Sequence, residues 1–119
     1  MDVYLKNRRL ASVKECTGFF SKFRGLMFSK RLRRGEGILL EHSFESRWFT
    51  SLHMIFVFFP IDILWLNKHY AVVDVRRDVK PFIPFILPKK KAKYVIELCP
   101  NMTNPISLGD ILDFRRKTI

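Results

Sequence analysis

The sequence predicts a small, β-rich α+β domain built on a mostly antiparallel sheet, with a short helix. Three observations lead to that expectation. Residues 52–66 (LHMIFVFFPIDILWL) form the chain's dominant apolar run, rich in the Ile, Val, Phe and Trp side chains that suit strands. Strand-like runs joined by short turns recur around it, as antiparallel hairpins require. Residues 18–28 switch to a helical period, with Phe19, Phe20, Phe23, Leu26 and Met27 on one stripe.

The chain has 119 residues and is expected to form one domain over its whole length. A domain of this size buries about two-thirds of its unfolded surface. Its 48% apolar content and twelve Phe residues supply a bulky aromatic core.

In chain order, residues 2–7 and 10–16 read as two strands of a hairpin turning at Asn7 and Arg8. Thr17 or Ser21 is placed to cap the helix at 18–28. Gly25 inside that helix marks a close approach of backbone or ligand. Residues 29–37 (SKRLRRGEG) form a basic turn. Its Gly35 and Gly37 are able to offer N–H groups to an anion, but their spacing is not that of a phosphate-binding loop. Residues 37–41 begin a strand, and the polar 42–48 is a connection.

Within the central run, Pro60 lacks a ladder donor and belongs at a bulge, an edge or a break. The run therefore reads as strands 52–58 and 61–66, or as one bent strand. It is too short for the roughly 20 apolar residues of a membrane span, and a carboxylate at bilayer depth costs about 3 kcal/mol. No integral membrane segment is expected. Residues 67–69 turn the chain, 70–75 return as a strand, and Arg76, Arg77 and Asp78 end it. The three prolines of 80–93 (KPFIPFILPKKKAK) exclude a regular helix. In 93–98, Tyr94, Ile96 and Leu98 share one strand face and Val95 and Glu97 the other. Residues 110–114 form a last strand before a basic tail.

Asp62 and Glu97 are carboxylates embedded in apolar strands. A buried carboxylate must be paired or hydrogen-bonded. Each is therefore either a structural acceptor, Asp62 taking backbone N–H groups beside Pro60, or an acid or base with a shifted pKa. His53 poses the same choice. Asp62, Glu97, His53 and Arg24 are the candidate catalytic residues, provided that they converge on one cleft.

The net charge is +11, from 22 Lys and Arg against 11 Asp and Glu. That excess points to a polyanionic partner, nucleic acid or acidic lipid. The candidate anion-binding residues are Lys30, Arg31, Arg33, Arg34, Lys89, Lys90, Lys91 and Lys93. Phe82, Ile83, Phe85 and Ile86, directly before the second basic cluster, either fold over the sheet or contact a membrane or another partner. Cys16 and Cys99 have no ligand-like spacing, so neither a zinc site nor any other metal or cofactor is expected. No apolar secretory segment follows Met1-Asp2-Val3, and the expected location is cytoplasmic.

Several pieces, in order, resemble the uncharacterised family called domain of unknown function 192. They are Arg24-Gly25-Leu26-Met27-Phe28, Gly37-Ile38-Leu39-Leu40, His53-Met54, Phe59-Pro60-Ile61-Asp62-Ile63, Tyr94-Val95-Ile96-Glu97-Leu98 and Gly109-Asp110. The resemblance spans about residues 10–114. It implies a compact, barrel-like, β-rich α+β domain with one or two short helices and no established activity. The chain departs from the family at 53–58, where HMIFVF replaces a segment like Trp-Met-Lys-Asn-Thr, and after Leu98, where Pro100-Asn101 stands in place of a common glycine.

No G-x-S-x-G or H-E-x-x-H motif is present. The first functional reading is a non-catalytic binding or accessory domain for an anionic partner. The alternatives are a peripheral membrane protein acting through 82–93 and a carboxylate-dependent enzyme.

Overall fold

The computed structural model describes residues 1–16, 31–51 and 57–116. The helix expected at 18–28, residues 52–56 of the central run with His53, and Arg24 and Lys30 lie outside these residues; Val57 and Phe58, the described end of the strand expected at 52–58, are not in a strand. The described residues form seven strands: β1 (Asp2–Leu5), β2 (Arg8–Cys16), β3 (Glu36–Ser46), β4 (Ile61–Leu66), β5 (Val72–Val79), β6 (Ala92–Leu98) and β7 (Asp113–Arg115). They make one sheet in the order β5-β4-β6-β3-β2-β1-β7. All pairs are antiparallel except β2–β3, which is parallel.

All six residues of β4 are buried, which is why this strand is apolar on both faces. It pairs with β5 on one side and β6 on the other. Pro60 stands immediately before it, where its missing donor costs no ladder bond. The sheet has a core on each face. One contains Val3, Ala11, Val13, Leu39, Leu64, Leu66, Ile96, Leu98 and Met102. The other contains Ile38, Leu40, Val57, Phe59, Ile61, Ile63, Trp65, Ile86 and Val95. Each fully buried large apolar side chain contributes about 1.5–3 kcal/mol.

The sheet curls into a half-barrel. The chain just before β7, at one edge, bonds to the start of β5, at the other. Val72 N–H donates to Asp110 O, Gly109 N–H to Val72 O and Leu112 N–H to Tyr70 O, at 2.8, 2.8 and 3.0 Å. Gly109 holds φ +89°, a conformation that disfavours side chains. Tyr70, Tyr94 and Phe114 pack their rings against one another across this closure.

Several boundaries differ from the sequence expectation. The β1–β2 turn is at Lys6-Asn7 rather than Asn7-Arg8, and both residues have positive φ (50° and 65°). That left-handed pair matches the twist of a two-residue hairpin. β3 continues through 42–46, because Ser46 still pairs with Ala92 across an irregular stretch of ladder. β5 starts later than expected and runs through Arg76, Arg77 and Asp78, since Arg76 and Val79 pair with β4. The last strand is Asp113–Arg115, with Ile111 making an isolated bridge to Ala71. Gly37 is a β3 residue packed against β6. A Cβ there would lie 2.5 Å from Leu98 Cδ2 and 2.6 Å from Glu97 O, so any side chain would force the strands apart.

Candidate functional site

The embedded carboxylates have separate environments. Asp62 sits at the start of β4, next to the break at Pro60, and is buried. Its Oδ1 accepts the Asp78 N–H at 2.8 Å. Its Oδ2 accepts the N–H groups of Asn101 and Thr103 and the Thr103 hydroxyl, at 3.1, 3.3 and 2.7 Å. Thr103 Oγ1 in turn accepts Arg77 Nε–H at 3.1 Å, and the same guanidinium donates to the carbonyls of Thr103 and Ile106. Asp62 therefore ties the end of β5 and the 101–106 connection to the centre of the sheet. Its donors come from distant segments, not from the turn beside Pro60.

Glu97 is buried on the opposite face. In the β4–β6 ladder Asp62 pairs with Leu98 and Ile63 pairs with Glu97, and adjacent rungs point to opposite sides. Glu97 stands between Ile38 of β3 and Ile63 of β4. Burial among these side chains raises its carboxyl pKa to about 7. On the same face the half-buried Cys16 thiol is pushed up, first by burial, against the pull of Lys14 and with a smaller push from Glu97. A cleft served by both Asp62 and Glu97 is not what the fold builds. Among the described residues no group of three or more His, Cys, Asp or Glu side chains is placed to hold a metal ion.

The apolar loop 80–91 divides its residues between core and surface. Ile86 is buried and Ile83 is half-buried, both against the core that holds Trp65. Of the two readings open for this loop, folding over the sheet holds for the isoleucines, while the two phenylalanines stay at the surface. Phe82 and Phe85 are 57% and 53% exposed, and Trp48 and Phe58 69% and 57%. The exposed rings pair up: Trp48 with Phe85 (centroids 6.2 Å), Phe58 with Phe82 (5.5 Å) and Phe44 with Phe49 (5.3 Å).

This surface has a rigid base. Ser46 Oγ accepts the N–H groups of Trp48 and Phe49. The buried Trp65 donates its indole N–H to Thr50 O at 2.7 Å. Arg47 Nε–H donates to Pro88 O at 2.9 Å, and Lys91 pairs with Glu45 at 3.8 Å. Segments 44–49 and 82–91 thus meet, and exposed Lys89, Lys90 and Lys91 follow the rings of the loop in the chain. The backbone of Lys89 is anchored by Asp74, a third buried carboxylate that the sequence reading missed, through a 2.9 Å bond. Lys93 is half-buried with its ammonium 5.3 Å from the Tyr94 ring centroid. The aromatic pair Trp48-Phe49 inside the polar stretch 42–51 was the available sequence signal for this face.

The other basic cluster stands elsewhere. Arg31, Arg33 and Arg34 are exposed ahead of β3. Gly35 N–H donates to Met102 Sδ at 2.9 Å and Gly35 O accepts Ser12 N–H, so the Gly35 backbone is engaged in packing. Beside it lies an open cleft of about 380 Å³, lined by Arg9, Leu10, Ala11, Arg34, Gly35, Asn101, Met102 and Pro105. Among the described residues no helix is long and apolar enough to cross a membrane.

Comparison with known proteins follows the same outline. The fold is shared with a Sinorhizobium meliloti protein provisionally called a transcription regulator (TM-score 0.83, 18% identity, 94% of this chain and 89% of the other). It is also shared with a Novosphingobium aromaticivorans protein of unknown function (TM-score 0.81, 17% identity, 95% and 82%). In sequence, the chain is 34% identical to a UPF0127 protein of Thermococcus sibiricus, over 86% of this chain and 65% of the relative. Another from Pyrococcus furiosus is 32% identical over 87% of each. The chain thus spans just under two-thirds of the first of these relatives. The model of the DUF192 family, described as "Uncharacterized ACR, COG1430", matches residues 5–114. The chain belongs to the DUF192 family.

Proposed function

We propose that this chain is a non-catalytic binding domain whose working face is the aromatic surface of 44–49, 58 and 82–85, and that its partner is an anionic membrane surface. The observation that carries this reading is the pairing of exposed Trp48 with Phe85 and of Phe58 with Phe82, on a loop that runs directly into the exposed Lys89, Lys90 and Lys91. Large exposed apolar patches mark interaction sites. The amphipathic Trp48 ring suits the headgroup level of a bilayer and the phenylalanines the acyl boundary below it, and each nearby lysine adds about 1 kcal/mol of attraction to acidic lipid. Phe82 supports the reading further: it holds a φ of 67°, unfavourable for a bulky residue, and still presents its ring to solvent.

Cosedimentation with phosphatidylcholine vesicles, with and without phosphatidylserine, tests this. The protein is expected to sediment with the acidic vesicles at low salt and to be released as salt rises. Trp48 emission should shift to the blue on binding, while emission from the buried Trp65 stays unchanged. Trp48→Ser combined with Phe85→Ser should abolish sedimentation without unfolding the sheet. Absence of sedimentation at low salt, or sedimentation untouched by the double substitution, refutes the reading. Tight duplex DNA or RNA binding without vesicle binding would replace it with a nucleic-acid role.

A further inference from the structure

The cleft beside Gly35 lies on the other side of the sheet from the aromatic surface. Its Ala11 and Met102 belong to the core that holds Leu64 and Leu98, whereas Ile86, beneath the aromatic surface, belongs to the opposite core. Three segments distant in sequence build it: the start of β2, the turn before β3 and the connection after β6. We propose that it is a binding site for a small phosphorylated molecule, with Arg9 and Arg34 holding the phosphate.

The lining has two guanidinium groups, one side-chain amide from Asn101, and no carboxylate. Such a set favours an oxyanion over a cation or an apolar guest. A volume of about 380 Å³ accommodates a phosphate with a small organic group. Arg9 is half exposed and pairs through Nε with Asp2 Oδ1 at 3.5 Å, an oxygen that makes no hydrogen bond. Arg34 makes no ion pair among the described residues and is exposed. The Arg34 fork is therefore free to turn to a ligand, and Arg9 can offer its terminal N–H groups while its Nε stays beside Asp2.

The walls are preorganised. The Gly35 N–H to Met102 Sδ bond closes the floor between two segments. The third wall is held from behind by Asp62, which accepts the N–H groups of Asn101 and Thr103 on either side of Met102. The Pro60-Ile61-Asp62 segment thus fixes the position of Asn101 and Met102 without touching the cleft. Asp62 is in this sense a positioning residue.

Titration of the ¹⁵N-labelled protein at constant ionic strength with inorganic phosphate, glycerol 3-phosphate and, as a control, chloride decides the matter. Saturable shifts are expected at the Gly35 and Asn101 amides, with the phosphomonoester binding at least as tightly as free phosphate. Removing one charge-assisted donor weakens such binding about tenfold or more, so Arg34→Gln and Arg9→Gln should each do so while leaving the rest of the spectrum in place. Free phosphate binding more tightly than its ester would overturn the assignment to a phosphorylated molecule. Shifts confined to Lys89–Lys91, shifts reproduced by chloride, or affinity unchanged in both variants would overturn the site.

Discussion

Glu97→Gln tests the physics of the buried carboxylate directly. Glu97 ionises near 4.5 when solvated, but its burial between Ile38 and Ile63 raises that value to about 7 in the folded chain. The folded state therefore holds a proton that the unfolded state has already released. Folded-state stability from this group is complete below pH 4.5 and declines as pH rises through the folded value near 7. The decline runs at up to about 1.4 kcal/mol per pH unit and levels off above pH 7, at a total of about 3 kcal/mol. Glutamine keeps the shape and cannot ionise. Urea unfolding of both proteins from pH 4.5 to 9 isolates the effect, because the other titrating groups cancel in the difference. The wild type should lose about 3 kcal/mol relative to Glu97→Gln across that range, with the difference flat above neutrality. Parallel stability curves would show that the Glu97 carboxylate is solvated or paired when ionised, and the argument from burial would fail.

Two further substitutions probe the frame. Gly37→Ala should destabilise by about 1–3 kcal/mol, the usual range for overpacking. Trimming Leu98 to Val in the same chain should not restore the loss, because the second clash is with the Glu97 backbone oxygen; full recovery in chemical denaturation would contradict that geometry. Asp62→Asn turns one acceptor oxygen into a donor facing other donors and should cost about 3 kcal/mol. Amide exchange at Asp78, Asn101 and Thr103 should accelerate together, and unchanged protection at these three would refute the role of Asp62 as their common anchor.

Some of this protein was legible before any fold was known. Alternation at 94–98 placed Tyr94, Ile96 and Leu98 on one face and Val95 and Glu97 on the other, because a strand's side-chain period is a local property. The apolar character of 61–66 on both faces, interrupted only by Asp62, announced a buried strand, and Pro60 announced the bulge, edge or break before it. The family resemblance was legible for the same reason: it rests on short pieces in a fixed order.

What the sequence could not disclose depends on register and curvature. Asp62 and Glu97 look alike as carboxylates in apolar strands, yet one rung of the β4–β6 ladder sends them to opposite cores. Asp74 gave no sign of burial, since besides Arg76, 3.6 Å away, its partners are the Val75 and Lys89 N–H groups, anonymous backbone donors. The contact of Trp48 with Phe85 and the meeting of Arg9, Arg34 and Asn101 are set by which strands become neighbours. Residue type and spacing determined the strands and the break at Pro60. Only the pairing of distant strands, whose energy lies in non-local contacts, decided which polar groups are bolts and which face an open cleft.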